Sequence, residues 1–155
     1  ISGVKAEEEK YMLEKAATTL CHPSIDLHIN EWNLKGKIVL EVIVPEGKDK
    51  PFYAIDEEGK KWVYVRQLDQ SLLASKVVVE VLKRKNSSVH TVVEFTSKEK
   101  ALLDYLKENP RITLKEYCKL VNISRWRAQR IVVNLISVGV IRVFDIEKPE
   151  YYTLG

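Results

Sequence analysis

The sequence predicts an α+β fold in two pieces, and three observations carry that prediction. Short alternating apolar runs mix with amphipathic helical runs in residues 1–88. Two Thr-x-x-Glu signatures in residues 89–155, "TSKE" and "TLKE", fix two closely spaced helix starts. Between the pieces, "KRKNSSVHT" (Lys83 to Thr91) joins a basic helix tip to a polar connection, which reads as the seam. At 155 residues, each piece is long enough to bury a small core.

The first piece opens with "AEEEKYMLEKAATTL". Met12, Leu13, Ala16, Ala17 and Leu20 recur at helical intervals, and three glutamates sit where the helix dipole favours them. Pro23 closes that helix, because it disfavours helical geometry in the residue before it. "IDLHINEW" alternates, with Ile25, Leu27 and Ile29 on one face, and predicts a half-buried strand. Lys35-Gly36-Lys37 supplies a hairpin turn. "IVLEVIV" is apolar on both faces except at Glu41, the pattern of a central strand. "KWVYV" predicts another strand whose Trp62 and Tyr64 are expected in the core. "SLLASKVVVEVLKRK" predicts a closing helix with Ala74, Val77, Val78 and Val81 inward, although its β-branched run is a poor helix former.

In the second piece, Thr96 and Glu99 start a helix over about Ser97 to Glu108, ended by Asn109-Pro110. Thr113 and Glu116 start the next, over about Leu114 to Val121, with Asn122 suited to a left-handed turn. Ser124 caps a third, from about Arg125 to Ser137 or Val138, stopped by Gly139. "VIRVF" and "YYTL", turning near Glu147-Lys148-Pro149, predict a terminal β-hairpin. Three helices, the last two tightly joined, followed by a hairpin make the winged helix-turn-helix plan. The expected domains are therefore 1–88, a small mixed-sheet domain, and 89–155, the winged helix.

Charge is spread unevenly along this plan. Residues 1–88 carry 14 basic and 14 acidic side chains; residues 89–155 carry 11 and 8, which is the whole net charge of +3. No acid falls between Glu116 and Asp145, whereas Lys119, Arg125, Arg127, Arg130 and Arg142 do. On the third helix, Ala128, Ile131, Val132, Leu135 and Val138 share a face expected to pack on Leu102, Leu103, Leu106 and Leu120. Arg125, Trp126, Arg127, Gln129, Arg130 and Asn134 are then expected to point outward. Arginine can bond guanine O6 and N7 in pairs, and Gln or Asn can do the same to adenine. Ser124 with the helix start, and Lys119, suit phosphates. A merely solvated face would ordinarily mix signs, and this one does not. Trp126 is expected at a packed junction or a partner interface. Asp145, Glu147 and Glu150 cluster near the hairpin tip and would repel phosphate, so the hairpin is expected to pack or to bind protein.

Other chemistry finds little support. Cys21 and Cys118 have no companions at metal-ligand spacing: Cys21-His22 are adjacent and His28 is the nearest other candidate. Two reduced, packed thiols, no metal, no cofactor and a cytoplasmic setting are expected. The six glycines form no phosphate loop, and no serine elbow or paired His and carboxylate spacing appears, so the chain is expected not to be an enzyme. No apolar stretch of about 18 residues predicts a membrane span. "ISGVKAEEEKYM" lacks a leader pattern and does not begin with Met, so the chain reads as a fragment of a longer product. The lysines 48, 50, 60 and 61 and Arg66 interleave with Asp49, Asp56, Glu57 and Glu58, as on a solvated loop.

Val44-Pro45, then Lys50-Pro51-Phe52-Tyr53, then Tyr64-Val65-Arg66 follow one another along "EGKDKPFYAIDEEGKKWVYVR". By these residues the first piece, over about 1–85, resembles the Schlafen-type AlbA-like domain of bacterial ATP-binding or DNA-binding regulators. "ISGV" also resembles that family's hairpin exit. Gln67-Leu68-Asp69 stands where the family usually has Val-Gly-Ser, and the family's Glu-Phe-Lys strand would lie upstream of Ile1, making this a partial AlbA-like domain. The resemblance implies a regulator in which a winged helix is a common companion. Duplex DNA is the expected partner, and a homodimer would match two-fold operators. Two alternatives stand beside that reading: a protein-interaction module using Trp126 and the acidic hairpin, and a non-catalytic fragment of a nucleotide-binding or nuclease protein.

Overall fold

The computed structural model describes residues 3–67, 69–86, 95–146 and 148–155. It divides into two compact units, Ile1–Val63 and Tyr64–Gly155. The division thus falls well before the seam read at 88/89, and the connection read at Lys83 to Thr91 runs into residues outside those described.

In the first unit, α1 (Ala6–Thr19) carries Glu7, Glu8 and Glu9 in its first turn, complementing the helix dipole. Ala6 and Ala17 are buried, but Met12 and Leu20 are exposed, so the expected apolar stripe is covered only in part. The strands are β1 (Cys21–His22), β2 (His28–Leu34), β3 (Lys37–Ile43), β4 (Tyr53–Ile55) and β5 (Lys61–Trp62). β1, β4 and β5 form one sheet in the order β1-β4-β5. β2 and β3 form a separate hairpin in which Leu34 faces Lys37. Lys35 and Gly36 turn it with φ of 54° and 78°, both in the left-handed region a two-residue hairpin loop demands. β3 is therefore not the central strand its composition predicts. Its far edge receives the Val4 N–H on the Ile38 carbonyl and pairs with no further strand among the described residues, and Val42 and Ile43 stay exposed.

"KWVYV" does not form one strand either. It breaks at buried Val63 into β5 and β6 (Tyr64–Gln67), and Trp62 and Tyr64 are exposed rather than core. The Trp62 indole N–H donates to Asp56 Oδ2 at 2.7 Å, so its polar edge is satisfied at the surface. The loop charges pair locally, Lys50 with Glu46, Lys60 with Glu58 and Arg66 with Asp69.

The second unit begins with β6 paired antiparallel to β7 (Gln70–Leu73). Ser71, Leu72 and Leu73 are thus strand residues, not the helix start expected of them. α2 (Lys76–Asn86) begins after Ser75, whose Oγ accepts the Val78 N–H at 3.3 Å. α3 (Ser97–Glu108), β8 (Ile112–Thr113), α4 (Leu114–Leu120), α5 (Arg125–Ser137), β9 (Ile141–Phe144) and β10 (Tyr151–Leu154) complete the chain. Both capping boxes form, Thr96 with Glu99 and Thr113 with Glu116. Asn122, at φ 49°, turns α4 into α5, and Gly139, at φ 78°, ends α5. β8 joins the terminal hairpin in the sheet order β8-β10-β9, an addition the sequence did not suggest. This is the winged helix-turn-helix arrangement, and the fold is α+β.

Its core gathers Leu102, Leu106, Ile112, Tyr117, Ala128, Val132, Leu135, Ile141 and Tyr152, with Val77 and Val81 of α2 and Val133 of α5 joined to it. The Tyr117 hydroxyl donates to the Lys98 carbonyl at 3.1 Å and ties α4 to α3. Leu120 and Val138, expected inside, are exposed, whereas Val133, on the other side of α5, is buried. The reason is α2: its apolar face lies against α5 and covers a surface that the sequence reading left open.

Candidate nucleic-acid interface

Ser124 starts α5 as expected, its Oγ accepting the Arg127 N–H at 3.4 Å. The first turn has no acid and carries Arg125 and Arg127. Arg125, Arg127 and Arg130 are exposed, and none makes an ion pair among the described residues. Lys119 is likewise exposed in the last turn of α4. The basic ridge is therefore a surface feature, available to a polyanion.

Trp126 is 67% exposed, which removes the packed junction expected for it within the described residues. The Arg130 guanidinium stacks over its ring at 4.8 Å, so that each side chain limits the other's freedom. Thr96, Lys98, Arg127, Arg130 and Asn134 are among the residues lining a groove of about 530 Å³ between the start of α3 and α5. Two lysine or arginine side chains of α5 and one of α3 thus share one concavity.

Gln129 and Asn134 depart from expectation. Both are half-buried instead of pointing freely outward, and Asn134 Oδ1 accepts a hydrogen bond from Arg84 of α2. Arg84 was not singled out in the sequence, where it looked like part of a linker tip. Val77, Val81 and Arg84 nevertheless fall at i, i+4 and i+7, one helical face, and that spacing was the available signal.

The wing also differs. Asp145 is only 3% exposed: one oxygen accepts the Ser75 N–H at 2.8 Å and the other accepts from Lys148 Nζ at 2.5 Å. It serves the start of α2 rather than adding charge to a tip. Glu150 accepts the Tyr152 hydroxyl at 2.7 Å, and Glu147 lies outside the described residues. The expected phosphate repulsion therefore loses Asp145, while the expected packing of this segment is present. At the turn end of the hairpin, Phe144 stacks on Tyr151 with centroids 5.3 Å apart, and Arg111 lies 4.8 Å over the Tyr151 ring.

Burial pushes the phenols of Tyr117 and Tyr152 well above their ordinary range, so both are neutral hydrogen-bond donors at any ordinary pH. The Thr113 backbone N–H and hydroxyl hold the Glu116 carboxyl below its ordinary value. These groups are structural. Among the described residues, no group of three or more His, Cys, Asp or Glu is placed to hold a metal ion, and no helix is long and apolar enough to cross a membrane.

Residues 1–75 match the family model described as Schlafen, AlbA_2, and residues 96–142 match that described as Winged helix-turn-helix DNA-binding. No curated protein and no solved structure matches the chain. The chain is therefore similar to Schlafen, AlbA_2 proteins over its first 75 residues and to winged helix-turn-helix DNA-binding domains over residues 96–142, a span that contains α5 and its arginines.

Proposed function

We propose that the protein is a DNA-binding transcriptional regulator that reads duplex DNA with α5 of its winged domain. One observation carries the reading: Arg125, Arg127 and Arg130 stand exposed at the start of the helix that this fold places in the major groove, with no acid from residue 117 to 144. In this reading Arg125, Arg127 and Arg130 take guanine edges and Gln129 an adenine edge. Lys119, Ser124 and the helix start hold phosphates and set the register. A homodimer on a two-fold operator is the working arrangement; one chain per specific duplex in sedimentation would replace it. The chain acts without catalysis, and metal-dependent turnover of ATP or RNA by it would overturn that statement.

The test is titration of a random-sequence duplex pool at low salt with the wild type and with Arg125→Ala/Arg127→Ala/Arg130→Ala. All three side chains are exposed, so the triple variant keeps its fold and loses duplex binding. Equal affinity in the two proteins would contradict the assignment. A stable protein complex that ignores the arginines, with no duplex binding at all, would favour an interaction module instead.

A further inference from the structure

The face of α5 opposite the core is not open along its whole length. At 3.6 residues per turn, Val133 lies roughly 150° around the helix from the midpoint of Ala128, Ile131, Val132 and Leu135. That is the side a recognition helix turns towards DNA. Val133 is nevertheless only 2% exposed, and it belongs to the same apolar cluster as Val77 and Val81 of α2. Glu80 and Arg84 of α2 share a cleft with Trp126, Gln129, Arg130 and Val133.

Polar bonds secure both halves of this contact. Near its start, α2 is held by the Ser75 N–H on Asp145; near its end, Arg84 donates to Asn134. A major groove about 12 Å wide accepts one helix, whose diameter with side chains is about 10–12 Å. Two helices packed side by side do not fit. With α2 in place, Arg125, Trp126, Arg127 and Arg130 stay exposed, whereas Gln129 and Asn134 are half-buried beside α2.

We propose that α2 is an occluding latch on the recognition helix, and that full major-groove reading through Gln129 and Asn134 requires its release. The proposal rests on the duplex-binding reading above and adds a regulatory step to it. A ligand or partner that prefers the released state would raise the apparent affinity in proportion to the population it frees. The closed state is held by a small valine patch and a few hydrogen bonds, and α2 contains a consecutive run of β-branched residues, Val77-Val78-Val79, that favours helix only weakly.

The experiment measures duplex affinity of the whole chain for wild type, Arg84→Ala and Val81→Ala, with hydrogen exchange of α2 amides recorded with and without duplex. Amide protection in α3 serves as the control for fold. Each variant should bind duplex about fivefold to tenfold more tightly than wild type, because each raises the released fraction. Duplex should also speed exchange across Val77 to Arg84 in the wild type. If wild type binds while the variants bind equally or more weakly, and α2 exchanges no faster on duplex, α2 is a fixed part of the interface and the latch is wrong. If no protein binds duplex at low salt, the duplex-binding reading falls and the latch falls with it.

Discussion

Arg130 and Trp126 are exposed yet not independent of each other. A guanidinium 4.8 Å from an indole ring gains about 0.5–1 kcal/mol at an exposed site, enough to bias its rotamers without removing its charge from solvent. In the proposed reading, such bias would lower the entropy lost on meeting a base edge. Glu116 works at the same scale but for stability. Its carboxylate accepts from the Thr113 N–H at 2.8 Å and from the Thr113 hydroxyl at 2.8 Å, which lowers its pKa from the ordinary 4.5. A depressed carboxyl contributes stability above its unfolded value, and that contribution is lost as pH falls through the folded one. The melting-temperature gap between wild type and Glu116→Ala should therefore be present at neutral pH and shrink as the solution is taken below about pH 4. A gap that grows in acid would show that the carboxylate is not what holds this helix start.

Among the elements, α3 and its partners carry most of the winged domain. Leu102 is fully buried within the core cluster of this unit. Leu102→Ala should cost about 2–5 kcal/mol in denaturant unfolding, whereas Leu120→Ala, at an exposed position, should cost under about 1 kcal/mol. Equal costs would mean that the packing described for α4 is wrong. The contrast also shows where the sequence could be read and where it could not. Capping boxes are local chemistry, so Thr96-Glu99 and Thr113-Glu116 announced α3 and α4 with nearly correct bounds. The side of α5 that faces outward depends on what else folds onto it. Val133 was not placed on the core face of α5, because α2 was assigned to the other piece. β3 failed for a similar reason: an apolar strand is central only when neighbours pair with both edges, which its own residues cannot reveal. The exposed arginines of α5 were legible because nothing of opposite sign is near them in sequence. The withdrawal of Asn134 was not, since it depends on Arg84, some fifty residues earlier.

For the molecule as a whole, charge tells more through its placement than through its sum. A net +3 on 155 residues would suggest no particular partner, but the stretch from 117 to 144 carries five cations and no anion on one small fold. Each unit is also built differently: the winged unit has a contiguous buried cluster, whereas buried apolar side chains in the first unit are Ala6, Ala17, Pro51 and Val63 among the described residues. The cation-rich surface is thus set on the better-packed frame, where rigidity keeps its geometry. The affinity of the whole chain for duplex DNA as a function of salt tests this most directly. If about four phosphates are neutralised, log affinity against log salt should have a slope near −4, and Lys119→Ala should reduce that slope by about one. A slope near zero, or no duplex binding at low salt, would contradict the account.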